Sequence, residues 1–144
     1  MNYALLSALI MTVLAALAVA AIPPLSKERL EADSTLIVTG RIAKVTTTTR
    51  ELGNGDEDTI YHVEIDVAGV EKGSVAVGHP LKAQTWEPKK RQRGWAGPQG
   101  QNVTPEVGQN VRCYLRGSEV EGYEFLAPNG LELLKPPASS TQRE

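Results

Sequence analysis

Cysteine is nearly missing from this chain: Cys113 is the only one in 144 residues. That excludes a disulfide-stapled scaffold, so stability has to come from a packed core. Histidine is almost as scarce, with His62 and His79 alone. No His-Glu-x-x-His pair, Gly-x-Ser-x-Gly elbow or Gly-rich phosphate loop occurs. Without an acid–base constellation the sequence does not support an enzyme, and a hydrolase is a distant alternative. Neither sign of charge dominates. Fifteen Lys and Arg against seventeen Asp and Glu leave a net charge of −2. That argues against a polybasic nucleic-acid binder and against an acidic tail protein.

Charge is absent altogether at the start. Residues 3–21 are apolar apart from Ser7 and Thr12, and the first charged side chain is Lys27. Such a run is a signal-peptide core or a membrane span, and Ala18-Val19-Ala20 supplies a small-x-small cleavage pattern. The expectation is a cleaved signal peptide over residues 1–20. An N-terminal anchor over residues 3–21 is the alternative, since the run is long and lacks a preceding Lys or Arg. Either way the body is expected outside the cytoplasm: secreted, periplasmic or in the cell envelope. A disulfide-free exported chain fits a bacterial host. The rest of the chain can bury roughly two thirds of its unfolded surface, so it needs no staple.

Polar and apolar residues alternate best in Thr59-Ile-Tyr-His-Val-Glu-Ile-Asp-Val67. Tyr61, Val63, Ile65 and Val67 fall on one face, with His62, Glu64 and Asp66 on the other, the pattern of a half-buried strand. Upstream, Ser26 is a helix N-cap and Leu25 and Leu30 are spaced as a hydrophobic staple, so a short helix is expected over residues 27–32. Leu36, Val38 and Ile42 begin a strand that runs to Arg50, and Gly40 followed by a change of phase predicts a bulge between residues 40 and 43. Asn54-Gly55 predicts a hairpin joining this strand to the next. A turn over residues 70–74, a strand over 81–86, a long loop over 87–108, strands over 108–117 and 123–127, and a short segment over 131–134 complete the pattern. The expected organisation is a linker and helix over 21–33, an all-β barrel over 34–134 and a disordered polar tail over 135–144.

Five strands, an early glycine bend and a long third connection suggest a closed barrel of Greek-key type. Ala32-Asp-Ser-Thr-Leu-Ile-Val-Thr-Gly-Arg-Ile42, Tyr61-His-Val-Glu-Ile-Asp-Val67 with Lys72-Gly73, and Gly108-Gln-Asn-Val-Arg-Cys-Tyr-Leu115 together resemble the OB-fold. The likeness is to its netrin-like branch, which includes the inhibitor domain of metalloproteinase inhibitors. That branch uses paired cysteines and an N-terminal cysteine for inhibition; here one cysteine sits in a strand, so the resemblance implies a fold and not protease inhibition. The chain is also similar to small exported bacterial proteins with a Gly-Trp-x-Gly-Pro-x-Gly-Gln loop, seen here over residues 94–101.

Trp86-Glu-Pro-Lys89-Lys90-Arg91-Gln-Arg93-Gly-Trp95 sets four cations between the only two tryptophans. Trp86, Lys89, Lys90, Arg91, Arg93 and Trp95 are therefore the candidate ligand-binding residues, for phosphates, stacked bases or anionic sugars. The alternative is that the cations are solvated and Trp95 anchors the loop by packing. His62, Glu64 and Asp66 form a weak metal-ligand candidate on one strand face. Asn54 to Asp58 lacks the ligands of a calcium loop and is expected to be a hairpin tip. Cys113, between Val111 and Leu115, is expected to be a buried inert thiol. No cofactor is expected. The sequence reading is a non-enzymatic exported binding module of the cell envelope or extracellular space whose partner is a protein or an anionic polymer. The alternative is a membrane-tethered barrel that binds an anionic polymer, glycan ahead of nucleic acid, through the basic loop over residues 86–95. Membrane contact is expected only through the N-terminal segment if it is uncleaved.

Overall fold

The computed structural model describes residues 22–76, 78–95 and 97–136. The signal-or-anchor segment and residues 137–144 of the tail lie outside the described residues.

Among the described residues a seven-residue helix comes first, α1 (Lys27–Asp33). It starts where it does because the Ser26 hydroxyl accepts a hydrogen bond from Arg29 N at 3.2 Å, satisfying one of the unpaired N–H groups of the first turn. Six strands follow among the described residues: β1 (Leu36–Glu51), β2 (Glu57–Lys72), β3 (Pro80–Lys90), β4 (Asn110–Ser118), β5 (Gly122–Phe125) and β6 (Leu131–Leu133). The ring order is β1-β2-β3-β5-β4, closed by β4 returning to β1, with β6 alongside β4. β3 and β5 are parallel and all other pairs antiparallel. This is a closed five-stranded barrel of OB-like order, as the sequence pattern predicts.

β1 can serve both β2 and β4 because it bends. Its register with β2 slips between Thr39 and Gly40 and again between Ile42 and Lys44, the stretch where glycine and the phase change predict a bulge. Gly40 is required there: a Cβ would run into the Asp66 carbonyl oxygen of β2. The interior is filled from every strand, with Val38, Ile65, Val111, Cys113 and Leu115 among the fully buried side chains. Val63, Ile65 and Val67 face inward and Tyr61 packs at the rim of the core, as the alternation requires.

A second, smaller core lies outside the barrel. Ile37 and Tyr114 stand opposite each other on β1 and β4, point outward, and are covered by Leu30 of α1 together with Leu126; Leu25 packs beside them. Tyr114 shares its strand face with Arg112 and Arg116 but is 3% exposed, because the helix lies over it.

Two strands outrun their expected bounds. β2 continues through Val70, Glu71 and Lys72, where a turn was expected, because β1 still offers Val38 and Ile37 as partners. β3 runs to Lys90 rather than stopping at Trp86, since Glu87, Pro88 and Lys90 pair with Thr59, Asp58 and Glu57 of β2. Pro88 and two lysines are poor strand formers. Pairing along a hairpin that already projects past the barrel overrides that preference.

Candidate functional site

The extension of β3 divides the candidate basic stretch between two settings. Lys82, Gln84 and Trp86 alternate outward along the strand, while Leu81, Ala83 and Thr85 point in. Trp86 is half-buried on the outer face, and Lys89 and Lys90 are exposed at the end of the strand. Lys89 Nζ lies 3.4 Å from Glu57 Oε2 and donates to Thr49 Oγ1 at 3.1 Å, so its charge is already matched. Lys90 and Arg93 are exposed with no side-chain partner among the described residues.

Arg91 is not a solvated loop cation. Its side chain is 10% exposed and its guanidinium pairs with Asp58, itself 1% exposed. Arg91 Nη1 also donates to the Glu57 carbonyl at 2.7 Å and to the Lys90 carbonyl at 3.0 Å, and its Nε is buried without a partner. Arg50 reaches the other Asp58 oxygen from across the hairpin at 2.7 Å. Trp95 covers Arg91, its ring centroid 5.2 Å from the guanidinium carbon, within cation–π range. The indole stays 44% exposed, so Trp95 anchors the loop with one face and leaves part of the other to solvent. Gln92 N donates to Asp56 Oδ1 at 3.0 Å, and Gln92 Nε2 to the Asn54 carbonyl at 3.2 Å. The Asn54-Gly55 turn and residues 91–95 are thus one welded unit. Burial acts to raise the Asp58 carboxyl pKa, but the hydrogen bonds from Arg91 and Arg50 outweigh it and hold it below the ordinary aspartate range.

Sequence reasoning missed Asp58, placing it only in a hairpin tip. The signal for half of its role was present: the Asn-Gly hairpin register sets Arg50 opposite Asp58. The Arg91 half carried no local signal.

The rest of the long connection closes the barrel. Gly100 adopts φ +70° and lies so close to β3 that a Cβ would strike the Trp86 carbonyl oxygen. The next residue donates to that same oxygen, Gln101 N to Trp86 O at 3.0 Å. The Gln101 side chain is buried, donating to Leu126 O at 2.9 Å and accepting from Leu131 N at 3.4 Å. The Gly-Trp-x-Gly-Pro-x-Gly-Gln stretch therefore has a structural explanation: its tryptophan covers an ion pair, and its last two residues bridge β3 to the segment between β5 and β6.

The outer face of β2 and β3 carries shallow grooves rather than a deep pocket. One of about 330 Å³ runs past Lys44, His62, Glu64, Lys82 and Gln84 to the β4–β5 turn at Glu121. Gln84 is also a wall of a second groove, about 120 Å³, where Trp86 sits among Arg50, Ile60, Arg116 and Glu124. Gln84 Nε2 donates to Glu124 Oε1 at 2.9 Å between the two. His62, Glu64 and Asp66 share this face without converging; His62 Nε2 is 3.0 Å from Thr48 Oγ1. Among the described residues no group of three His, Cys, Asp or Glu side chains is placed to hold a metal ion. Cys113 is fully buried, and burial pushes its thiol pKa far up, away from the reactive thiolate.

No family model, curated protein or solved structure matches the chain.

Proposed function

We propose that the chain is an exported, non-enzymatic binding module of the cell envelope or extracellular space. Its ligand is an extended anionic polymer, with glycan ahead of nucleic acid. The observation that carries this reading is the pair of grooves joined at Gln84 on the outer face of β2 and β3, with half-buried Trp86 and Arg116 lining one and Lys44 and Lys82 lining the other. An aromatic plane beside cations and the Gln84 amide suits a ring with hydroxyls and carboxylate, sulfate or phosphate groups. Barrels of OB order commonly bind oligosaccharides and oligonucleotides on this face. A net charge of −2 gives little of the general phosphate attraction that a nucleic-acid binder relies on. The short helix in front of β1 supports the netrin-like variant of the architecture, as a matter of fold alone.

The basic stretch contributes through Lys90 and Arg93, since Arg91 and Lys89 are engaged within the protein. Retention on immobilised heparin, as an anionic-glycan probe, separates the two surfaces. Lys82→Ser with Arg116→Ser should lower the salt concentration for elution markedly, and Lys90→Ser with Arg93→Ser should lower it by less. All four positions are exposed, so the fold should be untouched. Equal retention of both variants and the parent removes the groove reading. A larger loss from the loop pair transfers the contact to the loop. Tighter binding to a single-stranded oligonucleotide than to heparin reverses the ligand order.

A further inference from the structure

Among the described residues, β1 has a long strand edge without a neighbour. β1 pairs with β2 from Ile37 to Glu51, but on its other edge it pairs with β4 only from Leu36 to Arg41. Ile42 makes the last two bonds on that side, donating to the Gln109 carbonyl and accepting from Gly108 N. Beyond it, residues 43–51 have no second strand beside them among the described residues. The bare edge includes Val45 and four consecutive β-branched residues, Thr46, Thr47, Thr48 and Thr49, with no proline. A run of unpaired N–H and C=O groups on such a segment is a template for strand addition.

We propose that residues 45–51 of β1 pair antiparallel with the same residues of a second copy of this chain, related by a two-fold axis that sets Thr48 opposite Thr48. The register follows from geometry and charge. A two-fold axis normal to the sheet keeps every side chain on its own face, so only residues of equal parity can stand opposite each other. Centring on Thr46 drives the partner strand into Gly108 and Gln109, which already occupy the Ile42 edge. Centring on Thr47 sets Lys44 opposite Arg50 twice, like charges directly across the ladder. Centring on Thr48 sets Thr47 opposite Thr49, Thr46 opposite Arg50 and Val45 opposite Glu51, and the partner's strand ends at its own Gly53–Gly55 turn before reaching Ile42. Threonines facing threonines can exchange hydroxyl hydrogen bonds. The same edge is used on both copies, so the pairing closes at two chains and does not propagate. Seven residues per copy make a small interface, and dissociation is expected between about 10 μM and 1 mM.

The test uses the chain from Ile22 onward, which carries all six described strands and the core cluster they enclose. Sedimentation velocity should show a monomer passing to a dimer as concentration rises to about 1 mM. Thr48→Cys should form an intermolecular disulfide at least about ten-fold faster than Thr46→Cys, whose two copies stand four residues apart along the ladder, roughly 13 Å. Cys113 is fully buried and does not compete. Thr47→Lys with Thr49→Lys should stay monomeric, whereas Thr47→Lys with Thr49→Glu should dimerise at least as tightly as the parent, because each lysine then faces a glutamate. Both positions are exposed, so neither variant disturbs the core. A parent that stays monomeric over the whole range, equal cross-linking of the two cysteine variants, or a Lys/Lys variant that dimerises like the parent would each overturn the proposal.

Discussion

Asp58→Ala should lower the free energy of unfolding by about 3–5 kcal/mol, the cost of leaving a buried cation without its partner. Arg91 is the reason: it is 10% exposed, and its Nε already lacks an acceptor. Arg50 loses the same carboxylate but is 53% exposed and can turn to water, so Arg50→Ala should cost under about 1 kcal/mol. Replacing Asp58 and Arg91 together by apolar residues should recover much of the loss, since the pair contributes far less as a unit than either half costs alone. Denaturant melts of the four proteins check this, and an Asp58→Ala cost below about 1 kcal/mol would show that the pair is not dry. The pH dependence has a definite sign. The folded pKa of Asp58 is depressed, so its contribution is fully present above the ordinary aspartate value of about 3.9. It is lost as pH falls through the lower folded value. The stability gap between parent and Asp58→Ala should therefore stay flat near neutrality and narrow below about pH 4.

Gly100→Ala should be as damaging, at about 3–5 kcal/mol, because it adds backbone strain to overpacking. A Cβ at φ +70° would meet the Trp86 carbonyl, and that oxygen cannot withdraw while it accepts from Gln101 N. Gln101→Leu keeps the volume and removes two hydrogen bonds from a site 4% exposed, for about 2–3 kcal/mol. Gly53→Ala is the control. It has nothing within 4 Å of the new methyl group and an ordinary φ, so it should stay within about 0.5 kcal/mol. If Gly100→Ala matches Gly53→Ala, the close approach of residues 97–101 to β3 is wrong.

The barrel was legible because most of it is written locally. Tyr61 to Val67 and Val111 to Leu115 alternate with period two, Gly40 marks the bend, and Asn54-Gly55 marks the hairpin; each states its role within a few residues. The upper half of β3 was not legible, since Pro88-Lys89-Lys90 has the composition of a loop and is strand only because β2 lies beside it. Arg91 looked like a ligand-binding cation for the same reason. A guanidinium shows its charge in the sequence, but the carboxylate that takes it lies 33 residues away. Gln101 is an extreme case, a polar residue in a Gly/Pro-rich stretch whose partners sit on three separate segments. The outer grooves were legible only as a wet face at His62 and Glu64, because curvature is a property of the closed sheet and not of one strand.

The ring of strands is uneven in the strength of its joints. β1 and β2 are laced by fourteen residue pairs, whereas the parallel joint between β3 and β5 consists of Ala83 with Tyr123 and Gln84 with Glu124. That joint is a seam: it links residues about forty positions apart and cannot form until the meander and the β4–β5 hairpin both exist. Closing the seam is the expected last event of folding and its parting the first of unfolding. Native-state hydrogen exchange should find the amides of Gln84 and Tyr123 opening well below the free energy that protects Val63 and Ile65. The seam also lies under the groove walls at Gln84, so any polymer laid across that face would act as a clasp on the barrel and slow the parting.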